Sequence, residues 1–265
     1  AGQFNAAKKA EGMDRIRRFD LARRDMSRGI WHPALFDAQG KPTRERERLL
    51  LAIQEANAEV MRYGRREGGG LPGVTRAYRV PPGLSPIQIV SRQKLAYGPN
   101  VLLYWNKDGN LDPRKLKAQE WLLLPEEELT LQVSLEHKRL AVFIGDWMVK
   151  EFQVGVGKPE SPTPRDTFTL GVNRQLNPDW TNPHDGKVYL YGDPRNELGD
   201  AWMAIRSDRI SESSGFGIHG TNKPETVGSR CSKGCVRLRN PEAVELYRWV
   251  RSSSAGGKAT VIEIF

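Results

Sequence analysis

The sequence predicts an α+β protein whose largest part is a mostly antiparallel β-sandwich carrying one or two helices. Three observations support this fold class. Residues 1–75 are rich in charge and place apolar residues at helical spacing, residues 77–126 have the pattern of a small β-α-α-β unit, and residues 128–265 contain many short β-prone runs. Strands and helices do not alternate in the last part, which disfavours a parallel α/β architecture.

The charge balance of the chain is basic. The 265 residues include 41 Lys and Arg against 32 Asp and Glu, a formal net charge of +9. This balance suits an anionic partner such as a nucleic acid, a membrane surface or an acidic polymer. The arginines of residues 1–30 alternate with aspartates and form no nucleic-acid reading motif, so we expect no nucleic-acid partner. No apolar run approaches the roughly 20 residues that span a bilayer. We therefore expect membrane association only through a segment missing from the N-terminus.

The N-terminal region, residues 1–75, contains one strongly amphipathic helical segment. In RERERLLLAIQEANAEVMRYG (44–64), five apolar residues share one face: Leu49, Leu50, Ile53, Ala56 and Val60. This stripe could pack a helical hairpin against the rest of the protein or form a partner surface, and we expect packing. The glycines and proline of REGGGLPGV (66–74) then indicate a linker or an exposed turn.

The segment 77–126 begins with a short predicted strand at Tyr78–Val80. Ser85 can cap a helix in which Pro86 takes the first position, and EWLLLP (120–125) supplies a second strand. Together these elements predict a β-α-α-β unit.

The same segment resembles a LysM domain. The resemblance depends on the initial Tyr-x-Val, on Asn106, on the ending LDPRKLKAQEWLLLP (111–125) and on the interval between them. The sequence departs from the family pattern at 83–85, where Gly-Leu-Ser replaces Gly-Asp-Thr/Ser, and at 118–119, where Ala-Gln replaces Gly-Gln. The resemblance implies binding to N-acetylglucosamine-containing polymers such as peptidoglycan. A purely structural LysM-like unit is the alternative.

Residues 128–265 contain the expected sandwich. The stretch LTLQVSLEHKRLAVFIGDWMVKEFQVGVG (129–157) alternates apolar and polar residues on both sides of IGDW (144–147), as a half-buried antiparallel hairpin does. Further strands are predicted in DTFTLGV, KVYLYG, AWMAIRS and KATVIEIF. NPEAVELYRWVRSSS (240–254) predicts one amphipathic helix, with Asn240 as its N-cap.

Both cysteines and one of the four histidines lie in GIHGTNKPETVGSRCSKGCVRL (217–238). A metal site would need three or four ligands, and only His219 accompanies Cys231 and Cys235, so we expect no metal. A Cys231–Cys235 disulfide would require a tight turn, because the Cα atoms of bonded cysteines lie within about 7 Å.

A nucleophilic cysteine fits the segment best. His219 lies 16 residues before Cys235, and a loop of that length can bring a base to the thiol. Gly234 allows the chain to approach a substrate closely. Lys233 and Arg237 would favour the thiolate form of Cys235. Cys231 is expected to be dispensable.

These residues resemble the L,D-transpeptidases with a YkuD-type catalytic domain. The family motif, His-Gly-Thr followed by Ser-x-Gly-Cys-x-Arg, stands here as His219-Gly220-Thr221 and Ser232-Lys233-Gly234-Cys235-Val236-Arg237. TPRDTF (163–168) and NELGDAWMAI (196–205) extend the likeness, which covers about residues 128–265. Asp166 stands where glycine is common in the family, and Lys233 stands where histidine is common.

The resemblance implies a bacterial, extracytoplasmic enzyme of the periplasm or cell wall. Its partners would be the glycan strands of peptidoglycan and the stem peptides attached to them, and it would need no cofactor. Cys235 would attack the carbonyl of the third stem residue and release D-alanine. The acyl group would pass to an amine, which gives a 3→3 cross-link or anchors a protein. Carbapenems would acylate the same thiol as covalent inhibitors.

The resemblance also implies roles for individual residues. His219 would be the general base, and the Gly220 carbonyl would orient its ring. The N–H groups of Gly234 and Cys235 would stabilise the oxyanion. The residues expected to bind substrate are Arg237, Ser232, Thr221 and Lys233.

Two alternatives from other functional classes remain open. An L,D-carboxypeptidase would pass the same thioester to water, and a non-catalytic protein would only bind peptidoglycan. A papain-like hydrolase does not fit, because in that family the cysteine comes early and the histidine lies far downstream.

Overall fold

The structure is a computed structural model that describes residues 2–66, 75–107, 110, 112–183, 185–252 and 258–265. Contacts between residues divide the chain into two compact units. Unit 1 comprises Ala1–Gln93, Pro99–Glu128 and Val142–Lys150, and unit 2 comprises Lys94–Gly98, Leu129–Ala141 and Glu151–Phe265. Residues of the predicted N-terminal region and of the predicted 77–126 domain thus fall in the same unit.

The N-terminal part of unit 1 is helical, as predicted. Its helices are α1 (Gly2–Lys9), α2 (Gly12–Arg28) and α3 (Arg44–Arg66). On α3 the side chains of Ile53, Ala56 and Val60 are buried, whereas Leu49 and Leu50 are half-buried. The predicted stripe therefore packs inside the protein. The predicted linker lies outside the described residues beyond Arg66. None of the described helices combines the length and apolarity that crossing a bilayer requires.

The rest of unit 1 includes four elements in the predicted β-α-α-β order. These are β1 (Thr75–Arg79), α4 (Pro86–Arg92), α5 (Pro99–Asn106) and β2 (Trp121–Pro125), with β1 and β2 antiparallel. Ser85 caps α4 in a capping box with Gln88, as its sequence indicated. The Asn106 amide is buried and hydrogen-bonded to the backbone N–H and C=O of Leu123. Asn106 therefore fastens α5 to β2.

Most of the described strands and the last described helix lie in unit 2, whereas the fourth and fifth strands each have residues in both units. The remaining strands of the chain are β3 (Leu129–Ser134), β4 (Arg139–Ile144), β5 (Trp147–Gln153), β6 (Val156–Gly157), β7 (Asp166–Leu176), β8 (Trp180–Thr181), β9 (Val188–Tyr189), β10 (Ala201–Arg206), β11 (Gly217–His219), β12 (Arg230–Ser232), β13 (Val236–Arg237) and β14 (Val261–Ile264). The helix is α6 (Asn240–Trp249).

Hydrogen bonding joins eight of these strands into one sheet, in the order β13-β11-β10-β7-β14-β3-β4-β5. The predicted α+β class is confirmed, and these eight strands form one mixed sheet with antiparallel and parallel pairs. The chain's last strand, β14, inserts between β7 and β3, antiparallel to the first and parallel to the second. β11 and β13 are also parallel. Alternation of apolar and polar residues predicts strands but not which distant strands pair, so this mixed sheet could not be foreseen.

Candidate active site

The sheet brings His219 and Cys235 into one groove. β11 and β13 are parallel neighbours, with Ile218 beside Val236 and His219 beside Arg237, and Cys235 directly precedes β13. Parallel strands run in the same direction, so the loops at one end of the pair meet. Both side chains line a groove of about 540 Å³, together with Trp202, Glu197, Phe216, Lys233 and Arg237 among others. The groove lies entirely within unit 2.

The His219 imidazole is held in one tautomer. Its Nδ1 lies 2.7 Å from the Gly220 carbonyl oxygen, and because a carbonyl can only accept, Nδ1 carries the proton. Nε2 is therefore the nitrogen that can take a proton. The ring is only 2% exposed, and this burial, followed by the charge of Arg237, lowers the pKa of His219 to about 3. His219 is thus neutral at physiological pH, as a general base must be.

The Cys235 thiol is also neutral. Burial raises the pKa of Cys235, whereas a backbone hydrogen bond with Gly217 and the charge of Arg237 oppose the shift. The charge of Arg237 thus favours the thiolate, as predicted, but desolvation outweighs it and the net shift of the pKa is upward. The Sγ atom lies 3.5 Å from the Gly215 carbonyl, to which the thiol donates. Attack by this sulfur then requires a base to remove the proton during the reaction.

A tight turn before Cys235 depends on Gly234 and Ser232. Gly234 has φ +118°, and a Cβ there would lie 2.5 Å from a ring carbon of Phe216. The Ser232 hydroxyl donates to the Cys235 carbonyl (2.6 Å) and accepts from the Gly234 N–H (3.2 Å). Ser232 is fully buried. Its hydroxyl therefore shapes the turn, and its predicted contact with substrate stays a prediction. The Gly234 N–H already donates to the Ser232 hydroxyl. Of the two predicted oxyanion donors, we therefore expect the Cys235 N–H to act.

Three other predicted residues have different environments. Thr221 is buried, and its hydroxyl accepts from the Lys223 N–H, which stabilises the loop after β11; its predicted role in binding substrate stays a prediction. Arg237 lines the groove but is paired with Glu197, with 2.7 Å between Nη2 and Oε2. Lys233 is exposed and lines the groove, where it can meet an anionic group.

Sequence reasoning missed two residues of this site. Glu197 lies in the quoted segment NELG, but nothing in that segment shows that its carboxylate meets Arg237. Asn240 was predicted as the N-cap of α6, and this is wrong, because Arg239 is the N-cap and Asn240 is the first helical residue. Its side-chain oxygen instead accepts from the Thr221 N–H at 2.9 Å.

Cys231 has a separate environment. It lies on β12, which pairs with β6, and both cysteines are free thiols. The Cys231 sulfur packs against Gly155, where a Cβ would come within 2.6 Å of it. Among the described residues, no group of three or more His, Cys, Asp or Glu side chains is arranged as metal ligands.

Comparison with known proteins gives the family. The L,D-transpeptidase catalytic domain family (YkuD) matches residues 129–264, and the chain belongs to this family. The resemblance predicted for residues 128–265 is thereby confirmed.

The chain is also similar to individual proteins. A putative L,D-transpeptidase YkuD of Bacillus licheniformis is 34% identical over 116 residues, which are 44% of this chain and 56% of that protein. The probable L,D-transpeptidase ErfK/SrfK of Escherichia coli is 27% identical, and the match covers 68% of this chain and 62% of that protein. The chain thus spans between half and two thirds of these relatives. L,D-transpeptidase 3 from Mycobacterium tuberculosis, solved with a faropenem-derived adduct, gives a TM-score of 0.37 at 16% identity, covering 55% of this chain and 66% of that one.

Proposed function

We propose that this protein is a peptidoglycan L,D-transpeptidase. The observation that carries the proposal is the placement of a neutral cysteine thiol and a neutral imidazole of fixed tautomer in one groove, in a chain of the L,D-transpeptidase family. The groove is partly open, and its lining combines apolar side chains such as Trp202 and Phe216 with the charged side chain of Lys233, as a site for a peptide does.

The reaction proceeds in two acyl transfers. Nε2 of His219 takes the thiol proton as the Cys235 sulfur bonds to the carbonyl carbon of the third stem residue. The Cys235 N–H stabilises the oxyanion. The carbon–nitrogen bond then breaks, His219 donates the proton to the amine of D-alanine, and a thioester remains. An acceptor amine attacks the thioester, His219 takes its proton, and the sulfur leaves and is reprotonated.

A product analysis tests this function. Incubation with a disaccharide-tetrapeptide is expected to give free D-alanine and a dimer of a tripeptide joined to a tetrapeptide, detected by mass spectrometry. Tripeptide without dimer would favour the L,D-carboxypeptidase alternative, because water would then be the acceptor. Unchanged substrate together with retention on insoluble peptidoglycan would favour the non-catalytic binding protein.

The proposed substrate defines where the protein acts. Peptidoglycan lies outside the cytoplasmic membrane, so we place the protein in the periplasm or cell wall. The net charge of +9 favours association with that anionic matrix.

A carbapenem presents a strained carbonyl to the donor side of the groove, and the thioester formed with Cys235 would block turnover.

We further propose that the LysM-like segment, residues 77–126, binds glycan strands. The support is its sequence resemblance together with an exposed apolar side chain, Ile87, next to the turn at 83–85. Deleting the segment would remove β1, α4, α5 and β2 from unit 1, so a point substitution is the sharper test.

Replacing Ile87 by glutamate is expected to weaken retention of the protein on insoluble peptidoglycan, because a charge replaces apolar contact area on an exposed face. Turnover of small soluble muropeptides should stay near that of the wild type. Leu21→Glu, at an exposed position of α2, is the matched control and should bind normally. Equal retention of Ile87→Glu and wild type would leave the unit with a structural role only.

A further inference from the structure

The first residue of α6, Asn240, connects two segments that flank the catalytic histidine. Its Oδ1 atom accepts from the backbone N–H of Thr221 at 2.9 Å and from that of Asp200 at 3.3 Å. Thr221 follows the His-Gly pair at the end of β11, and Asp200 directly precedes β10. We propose that Asn240 is a positioning residue that holds His219 in its catalytic tautomer.

A single peptide group, between Gly220 and Thr221, links Asn240 to His219. The Thr221 N–H and the Gly220 C=O belong to the same planar unit, so fixing the direction of the N–H also fixes that of the carbonyl. Asn240 accepts from the N–H, and the carbonyl on the opposite side accepts from Nδ1 of His219 at 2.7 Å. The chain of hydrogen bonds thus runs from Asn240 through one peptide to the imidazole, and such chains strengthen each member.

Two glycines make room for the amide. A Cβ on Gly199 or on Gly220 would overlap Oδ1 of Asn240 far inside van der Waals contact. Gly199 also has φ +65°, a conformation that favours glycine. The Gly220 N–H donates to the Ala201 carbonyl, which further ties the loop after β11 to β10. The two glycines and Asn240 therefore form one matched set around the Gly220–Thr221 peptide.

Without the Asn240 acceptor, the Thr221 N–H loses its partner and the peptide can rotate. The Gly220 carbonyl would then no longer accept from Nδ1–H, and the imidazole proton could move to Nε2. A protonated Nε2 cannot accept the thiol proton. Asn240 would thus affect catalysis through His219 without touching the substrate. This inference rests on the proposed function where it predicts a reaction rate. The predicted tautomer can be measured whether or not the protein has that function.

The spectroscopic test uses the imidazole ¹⁵N shifts of the full-length protein, which distinguish Nδ1–H from Nε2–H. The His219 signals are assigned by their loss in His219→Gln, because the chain has four histidines. We expect the Nδ1–H tautomer in the wild type, a mixture in Asn240→Ala, and recovery of Nδ1–H in Asn240→Asp, which keeps an acceptor oxygen in place. Glu242→Gln is the matched control, because Glu242 accepts from the Arg239 N–H at the start of the same helix without contacting the His-Gly-Thr segment.

The kinetic test follows acylation of Cys235 by a carbapenem. Asn240→Ala is expected to lower the acylation rate about 10- to 100-fold, since small misplacements of a catalytic group cost this much. Asn240→Asp and Glu242→Gln should stay close to the wild type. A lowered melting temperature with unchanged tautomer and rate in Asn240→Ala would overturn the proposal. If Asn240→Ala does not fold, Asn240→Ser replaces it. A tautomer shift in a protein that forms no acyl-enzyme at all would refute the proposed function but not the positioning role.

Discussion

Substitution of Cys235 by serine is expected to abolish both muropeptide turnover and covalent capture of a carbapenem, while Cys231→Ser retains both. The serine hydroxyl is far harder to deprotonate than a thiol, and loss of a nucleophile lowers turnover by about 10,000-fold or more. Intact-mass analysis after incubation with a carbapenem should show one adduct on the wild type and on Cys231→Ser, and none on Cys235→Ser.

The matched pair of cysteine variants also tests for a redox role. Both thiols are free, and Cys231, which packs against Gly155, is not among the residues that line the groove. Cys231→Ser should therefore be active with and without reductant, and Cys235→Ser inactive in both conditions. An inactive Cys231→Ser, or an adduct on a residue other than Cys235, would contradict the assignment of the nucleophile.

Replacement of His219 by glutamine is expected to lower the acylation rate about 100- to 10,000-fold, the usual contribution of a general base. Cys235 is a neutral thiol whose pKa is raised by burial, so little thiolate exists without a base to form it. The measurement is the pseudo-first-order rate of carbapenem adduct formation. His32→Gln, at an exposed histidine of unit 1, is the control and should react like the wild type. An unchanged rate in His219→Gln would mean that another group takes the thiol proton.

The same variant has a predicted pH signature. The pKa of His219 is lowered from 6.5 to about 3, so the unfolded chain binds a proton in this range that the folded protein does not. The free energy of unfolding must then fall as the pH decreases from 6.5 towards 3. Urea unfolding at pH 7 and pH 4.5 should show a larger loss of stability for the wild type than for His219→Gln. Equal losses would contradict the buried, neutral imidazole.

Local sequence patterns predicted the elements of the fold better than their assembly. Ser85 caps α4 as expected, and β4 and β5 meet at the Ile-Gly-Asp-Trp turn, because these features depend on residues a few positions apart. Asn240 is not the N-cap that we predicted, and its side-chain oxygen instead accepts from the Thr221 N–H. The insertion of β14 between β3 and β7 was not predictable, since it pairs the end of the chain with strands more than 90 residues away.

The sequence by itself determined the family and supplied the candidate nucleophile Cys235 and the candidate base His219, because the family motif places a histidine and a cysteine in short glycine-containing segments. Only the tertiary structure decided the protonation state of that pair and the duties of its neighbours. Burial outweighs the charge of Arg237 on the Cys235 thiol, and Glu197, 40 residues before Arg237, pairs with the Arg237 guanidinium. The buried hydroxyls of Ser232 and Thr221 form hydrogen bonds within their own loops. Desolvation and charge pairing depend on residues from distant segments, which only folding brings together. No local motif could therefore have specified them.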